Sequence, residues 1–265
     1  NLNAAVRYSS YDIFGNDSNY KVGLDWQVVP SLKLRANYAT AFRIPNVPEL
    51  FGGVSEGNLT TTDPCNGWSN LPASSVVAQN CRASGVPTGY TQLGNTVLTT
   101  VGGNQKLQPE AAKTMTAGVV WTPTLVNDLT VTLDYYKIKI DNAIQRIDGS
   151  TKLAVCYNTP GLSHPFCSAS NFTRNRQTGE IDFLSAQPVN AASERLSGID
   201  LGAIYQFDLA GWKASISADV SYLKNYDVKP FPGADDINYA GKITGGRGSY
   251  THWRSFTSLT MMRGS

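Results

Sequence analysis

The chain has 265 residues, with 22 Lys and Arg against 20 Asp and Glu, so the formal net charge of +2 indicates neither a nucleic-acid partner nor an acidic tail. Charged residues make up only 16%, against about a quarter in soluble domains. No run approaches the roughly 20 apolar residues of a spanning helix, which excludes a helical membrane bundle. Low charge with plentiful Gly, Thr, Ser, Asn and Tyr favours an all-β protein.

Alternation of apolar and polar residues predicts about eight β-strands. The clearest begins at Tyr20, where every second residue to Val28 is apolar, whereas Lys21 and Asp25 lie on the opposite face. Similar alternation at 32–39, 115–121, 129–135, 199–207 and 212–222 marks the clearest parts of further predicted strands, and weaker segments lie at about 2–14 and 250–262. The apolar faces of the clear strands carry no charge, while the opposite faces carry side chains such as Lys33, Arg35, Asp134 and Asp200.

The lengths of strands and connections favour an antiparallel transmembrane β-barrel. The predicted strands run roughly 9–14 residues, which matches membrane-spanning strands better than the five or six residues common in soluble sheets. The predicted connections are 15–19, 30–31, 44–112, 123–128, 142–193, 208–211 and 228–249. From the second onwards, short turns alternate with long loops, as periplasmic turns alternate with extracellular loops in bacterial barrels.

Aromatic residues fall towards both ends of the predicted apolar band. Trp26, Trp121, Tyr205, Phe207 and Trp212 lie beside the short turns, and Tyr20, Tyr38, Tyr135, Tyr222 and Trp253 lie towards the long loops. Such girdles suit the two lipid–water interfaces. An open sheet edge is not tolerated in hydrocarbon, and the chain starts without a signal-peptide pattern. We therefore expect residues 1–265 to be part of a larger barrel within a longer polypeptide.

Three ordered motifs resemble those of the TonB-dependent receptor family. They are ATAFRIPN at 39–46 followed by PELF at 48–51, GNQKLQPE at 103–110 and LDYYKIKIDNAI at 133–144. They are similar to the family patterns FRAPN…ELF, GNP-LKPE and DYY-I-I-DAI. The second motif departs from the family at Gln105, where Pro is usual, and at Gln108, where Lys is usual. The order and placement of the motifs match the family over most of the chain.

The resemblance implies a barrel of about 22 strands that is closed by an N-terminal plug. It also implies location in the outer membrane of a Gram-negative bacterium, with outer-membrane lipid, the TonB complex and a bulky nutrient as partners. The plug, the TonB box and the terminal strands are not recognisable in this chain. The implied function is TonB-coupled active uptake of a siderophore or an oligosaccharide, with cobalamin also open. A passive outer-membrane porin remains the alternative.

Four cysteines occur in the two longest predicted loops, and they allow three pairings. Their placement favours Cys65–Cys81 in one loop and Cys156–Cys167 in the other, as suits an oxidising compartment. Neither spacing is typical of a zinc site, and only His164 lies nearby. The only histidines are His164, expected to be a solvated loop residue, and His252, expected to be a wall or interface residue, so we expect no catalytic site, metal or cofactor.

Aromatic and basic residues in or beside the long loops are the candidate ligand contacts. Flat rings suit sugars or aromatic siderophores, and arginine suits anionic groups. Packing of one loop against another is the alternative role for each of these rings. The candidates are Trp68, Tyr90, Tyr157, Phe166, Phe172, Arg174, Arg176, Tyr226, Phe231, Tyr239 and Arg247, with Arg82 nearby.

Overall fold

The structure is a computed structural model that describes residues 1–244 and 248–263. Its strands are β1 (Leu2–Tyr11), β2 (Gly15–Val29), β3 (Leu32–Arg43), β4 (Ser55–Thr60), β5 (Thr96–Val101), β6 (Glu110–Trp121), β7 (Leu129–Arg146), β8 (Phe172–Arg174), β9 (Ile181–Ser185), β10 (Pro188–Leu209), β11 (Trp212–Lys229), β12 (Ile237–Asn238), β13 (Lys242–Thr244), β14 (Gly248–Tyr250) and β15 (Trp253–Arg263). The α-helices are α1 (Val47–Phe51), α2 (Val76–Ala83) and α3 (Gly149–Asn158). Short 3₁₀ helices cover Trp68–Asn70, Pro160–Leu162 and Pro165–Cys167.

The main sheet confirms the predicted long antiparallel strands. Its order is β1-β2-β3-β6-β7-β10-β11, and both β15 and the short strand β12 pair with β11. These eight long strands, with β15 after β11, follow one another in space as they do in sequence, as in an up-and-down barrel wall. The structure extends the strands beyond their predicted ends, because β10 has 22 residues and β7 and β11 have 18 each. The predicted all-β fold class is therefore confirmed.

The short turns lie at one end of the sheet, as predicted. Pro30-Ser31 joins β2 to β3, and residues 122–128 join β6 to β7. Ala210 and Gly211 join β10 to β11 with φ of 50° and 81°. Two consecutive left-handed residues are typical of a type I′ hairpin turn, whose twist matches that of the strands it connects.

The predicted first connection at 15–19 is wrong. The turn between β1 and β2 covers residues 12–14, and β2 begins at Gly15. Ser18 pairs with Tyr8 and Asn16 with Ser10, so the hairpin continues through the polar segment. The alternation signal fails there because both faces of the hairpin end carry polar residues, and a strand wetted on both faces shows no period of two.

The chain divides into two compact units. The strand unit comprises Asn1–Ile44, Gln108–Ala143 and Ala191–Ser265, and the loop unit comprises Pro45–Leu107 and Ile144–Asn190. In the strand unit, the apolar face that begins at Tyr20 is exposed, including Leu24 and Trp26. The opposite polar face carries ion pairs, of which Lys33–Asp25 measures 3.1 Å between Nζ and Oδ1.

The loop unit has secondary structure of its own. Its four-stranded sheet has the order β4-β5-β9-β8, with β5 and β9 parallel and the other pairs antiparallel. Helix α1 begins with a capping box, in which Asn46 accepts from the Glu49 amide and the Glu49 carboxylate accepts from the Asn46 amide. The two long loops therefore form a folded unit with its own hydrophobic core.

Candidate ligand-binding loops

The core of the loop unit is built around its disulfides. The structure joins Cys65 to Cys81 and Cys156 to Cys167, which is the pairing that loop placement favours. Cys65, Cys81 and Cys156 are fully buried and pack with Leu153 and Leu184 in one cluster. Each disulfide closes a segment within one loop, so the two loops are joined by other contacts, which include the backbone pairing of β5 with β9.

A buried ion pair joins the two loops. The guanidinium of Arg174, on β8, donates to both carboxylate oxygens of Asp63, at 2.7 Å and 2.8 Å. Its Nε donates to the Tyr157 hydroxyl at 3.0 Å. The Asp63 side chain is 0% exposed and the Arg174 side chain is 5% exposed. A buried charge is costly unless it is paired and hydrogen-bonded, and here each of the two buried charges has its partner in the other loop.

Tyr90 completes the same network. Its hydroxyl donates to Asp63 Oδ2 at 3.0 Å, and its ring lies 5.8 Å from the Arg174 guanidinium carbon. Burial, together with the negative charge of Asp63, raises the pKa of Tyr90 well above its ordinary range. Burial opposes the charged form of Arg174, but the Asp63 carboxylate outweighs it and raises the pKa of Arg174. Both carboxylate oxygens of Asp63 thus accept two hydrogen bonds each, one of them from Arg174.

A second buried cation lies in α3. The Lys152 side chain is fully buried, and its Nζ donates to the Ser185 carbonyl at 2.7 Å. Burial lowers the pKa of Lys152 to about 8, although the nearby charge of Asp148 acts in the opposite direction. Sequence reasoning did not single out Lys152 or Asp63, because a lysine or an aspartate in a polar loop carries no signal of burial.

Several predicted ligand contacts lie inside this core. Trp68, Tyr90 and Tyr157 are buried in it, Phe172 is half-buried against the same cluster, and Phe166 is buried elsewhere in the loop unit. The Trp68 indole donates to the Pro87 carbonyl at 3.2 Å, and the Arg82 guanidinium lies 5.6 Å from the Trp68 ring. In this conformation the buried rings contact other loop residues and offer little surface to a ligand.

Other predicted contacts remain accessible. Arg176 is exposed, and Tyr226, Phe231 and Tyr239 are half-buried in the strand unit. Arg247 lies outside the described residues. The accessible set therefore contains both rings and a cation.

Two of these rings belong to a tyrosine cluster, which we define as Tyr226, Tyr239 and Tyr250. Their ring centroids lie 4.8 to 6.1 Å apart. The Tyr226 hydroxyl donates to Glu194 Oε2 at 3.0 Å. Tyr250 was absent from the predicted contacts because it falls in a weak strand segment, yet β14 places it against the other two rings. The cluster presents rings and hydroxyl groups together at the long-loop end of β11.

The structure also bears on other kinds of site. No three His, Cys, Asp or Glu side chains of the described residues are grouped as metal ligands would be. Throughout residues 1–244 and 248–263, the helices are too short or too polar to cross a membrane.

The sequence model of the family described as "TonB dependent receptor-like, beta-barrel" matches residues 1–263. The chain belongs to this family. The matched span includes every long strand of the main sheet, so the resemblance seen in the three motifs is confirmed across the receptor barrel chain. This family comprises transport receptors of the outer membrane of Gram-negative bacteria rather than enzymes.

Solved structures show the same fold for this TonB-dependent receptor chain. One is the ferric enterobactin receptor PfeA from Pseudomonas aeruginosa in complex with enterobactin, which is 15% identical with a TM-score of 0.53. The alignment covers 97% of this chain and 34% of PfeA. Another is the siderophore receptor PirA from Acinetobacter baumannii, at 11% identity and a TM-score of 0.51, with 98% of this chain and 36% of PirA covered. No curated protein matches the chain.

The chain thus spans about a third of the length of these solved receptors. At such identities the likeness shows the fold alone.

Proposed function

We propose that the protein containing this chain is an outer-membrane receptor that imports a bulky nutrient by TonB-coupled active transport. The observation that carries the proposal is the match of residues 1–263 to the receptor barrel family. The long strands with an exposed apolar face support a wall in contact with lipid. Residues 1–265 would form part of the barrel, and the plug and the TonB-contacting segment would lie elsewhere in the protein.

The nutrient that we propose is a siderophore or an oligosaccharide. The tyrosine cluster supports this class, because its half-buried rings give flat apolar surfaces on which a sugar or an aromatic siderophore could stack. Phe231 is the further aromatic candidate in the strand unit. Arg176 and Arg247 are the proposed cationic contacts for anionic groups of a ligand.

The remaining predicted contacts have a different role in this proposal. Trp68, Tyr90, Tyr157, Phe166, Phe172 and Arg174 would maintain the shape of the loop unit rather than touch the ligand. Their burial and the Asp63–Arg174 ion pair support that role. A loop unit of fixed shape would lower the conformational entropy lost when a nutrient is bound.

The test of the transport mechanism is uptake by cells that express the full-length protein. Radiolabelled ferric catecholate siderophore and maltodextrins would be offered to strains with and without TonB. We expect uptake of one of the two ligands, and its loss in the strain without TonB. Equal uptake in both strains would overturn the proposal, and steady ion conductance of the purified protein in planar bilayers would then favour the porin.

The ligand surface is tested by paired substitutions in the tyrosine cluster. Tyr226→Ala removes the ring, whereas Tyr226→Phe removes only the hydroxyl that donates to Glu194. Stacking of one aromatic ring on another contributes about 1–3 kcal/mol, so we expect the alanine variant to weaken binding by about fivefold or more. The phenylalanine variant should retain most of the affinity. Unchanged binding by the alanine variant would remove the cluster from the ligand site.

A further inference from the structure

The outward apolar side of the main sheet carries a group of lysines near its long-loop end. We define the lysine cluster as Lys113 on β6 with Lys137 and Lys139 on β7. Lys113 pairs directly with Lys139, and Met115 pairs with Lys137. All three lysines are exposed and lie on the same face as Met115 and Leu133, because they are separated from them by even numbers of residues. They point to the side of the sheet opposite Arg35 and Asp134.

The lysine cluster carries an excess of positive charge. Lys139 forms an ion pair with Asp141 at 2.9 Å. Within the described part of the chain, Lys113 and Lys137 have no acidic partner. Like charges directly opposite each other in a sheet destabilise the pair of strands. Three ammonium groups beside one carboxylate therefore leave two positive charges that an external anion would neutralise.

An apolar groove lies next to the lysine cluster on the same strands. Its volume is about 470 Å³, and its lining includes Leu24, Trp26, Ala36, Ala117, Leu133 and Tyr135. Ala36 pairs with Ala117, and Ala117 pairs with Tyr135, so two small residues form the floor between larger neighbours. Ala117 is two residues beyond Met115 and four beyond Lys113 along β6. The groove therefore begins beyond Met115 and Lys137 and lies on their short-turn side.

The depth of the cations fits a lipid–water interface. Trp121, beside the short turn, and Lys113 are on one face of β6. At about 3.4 Å per residue the span 113–121 covers about 27 Å along the strand, close to an apolar band about 25 Å tall once the strand tilt and the length of the lysine stem are included. Lysine side chains near such a boundary extend their ammonium groups to the polar region.

From this arrangement we infer a binding site for a phosphorylated membrane lipid on the outer wall of the barrel. The lysine cluster binds the phosphate of the headgroup, and the alanine-floored groove holds an acyl chain. Charge complementarity selects an anionic headgroup, and the adjacent apolar groove selects a lipid over free phosphate. The inference rests on the proposed outer-membrane location, and it adds a lipid site that is separate from the nutrient contacts.

The test uses native mass spectrometry of the full-length protein purified from outer membranes and reloaded with bisphosphorylated lipid A. Dephosphorylated lipid A and inorganic phosphate serve as comparison ligands. The variant Lys113→Gln with Lys137→Gln removes two charges from the lysine cluster. The matched control, Lys21→Gln with Lys213→Gln, removes two charges from the opposite face of the sheet. Ala117→Phe fills the groove without changing any charge.

We expect lipid A to be retained by the native protein and by the control. A basic residue near an anionic lipid strengthens binding by about fivefold. The Lys113/Lys137 variant should therefore retain at least about tenfold less lipid A than the native protein. Ala117→Phe should also lower retention. Equal retention by the lysine variant, or equal binding of dephosphorylated lipid A or of phosphate alone, would overturn the lipid site. Equal retention by Ala117→Phe would overturn the acyl-chain groove.

The location is checked separately by membrane fractionation and by TonB-dependent uptake. A protein absent from the outer-membrane fraction would refute the proposed function as well as the lipid site. A protein that resides there and transports its nutrient, yet shows the same lipid retention in every variant, would refute the lipid site alone.

Discussion

Arg35 on β3 and Asp134 on β7 form a two-contact ion pair that crosses Gly118 of the intervening strand β6. Arg35 Nε donates to Asp134 Oδ1 at 2.8 Å, and Nη2 donates to the second carboxylate oxygen. Arg35 pairs with Gly118, which pairs with Asp134, so the three residues occupy one row across the sheet. The absent side chain of glycine leaves the space through which the two charged groups meet.

We expect Gly118→Ala to destabilise the barrel wall. The added methyl group would overlap Asp134 Oδ1, so the ion pair would have to separate or the strands would have to shift. Overpacking of this kind costs about 1–3 kcal/mol. Urea unfolding of the full-length protein in lipid vesicles measures the change. Gly57→Ala is the control, because a methyl group there meets open space. An effect at Gly118 no larger than that at Gly57 would contradict the prediction.

The buried pair between Asp63 and Arg174 should govern the stability of the loop unit. Removing one partner leaves an uncompensated buried charge, so Asp63→Asn and Arg174→Met should each cost about 3–5 kcal/mol. Hydrogen exchange of amides in α3 and β9 measures this loss as faster opening. Arg176→Met, which removes an exposed arginine from the same loop, should change little.

The double variant Asp63→Asn with Arg174→Met separates pairing from packing. Because neither charge then remains buried, the double variant should lose less stability than the two single variants lose together. Additive losses would show that the two side chains act independently.

Lys152 should make the stability of the loop unit depend on pH. Its folded pKa of about 8 lies below its ordinary value of 10.5. The unfolded segment therefore binds more protons than the folded one between pH 8 and 10.5, and stability should rise with pH across that window. Below about pH 8 the whole cost of burying the ammonium is present. Hydrogen exchange of α3, corrected for the intrinsic pH dependence of exchange, measures the trend.

Lys152→Met supplies the comparison for that trend. Methionine keeps an apolar stem of similar length and cannot titrate. The increase in loop-unit stability with pH that Lys152 causes should therefore vanish in this variant. A variant with the same rise as the native protein would show that another group causes it.

The two disulfides should differ in how readily they are reduced. Cys65 and Cys81 are both fully buried, whereas Cys167 of the second disulfide is only half-buried. Thiol exchange requires access to a sulfur, so Cys156–Cys167 should be reduced first. Timed treatment with dithiothreitol, alkylation and peptide mapping give the order. Earlier labelling of Cys65 and Cys81 would show that the first loop opens more readily than the second.

The barrel fold was largely predictable from local sequence patterns. Alternation with a period of two marked the eight long strands, since a wall with an apolar and a polar face repeats every second residue. Pro30 suits the turn at 30–31 and Gly211 suits the second left-handed position of the turn after β10, whereas Ala210 gives no such signal. The pattern failed at 15–19, where β2 continues with polar residues on both faces.

The sequence by itself thus determined the strands, their antiparallel succession, the family and the placement of the cysteines in two loops. Only the tertiary structure decided which loop residues are buried. Asp63 and Arg174 are separated by 111 positions, and no local pattern indicates that they meet. The same holds for the Lys113–Lys139 register and for the burial of Trp68 and Tyr157. Strand periodicity is a local property of the chain, whereas burial and charge pairing depend on contacts between segments that are distant in sequence.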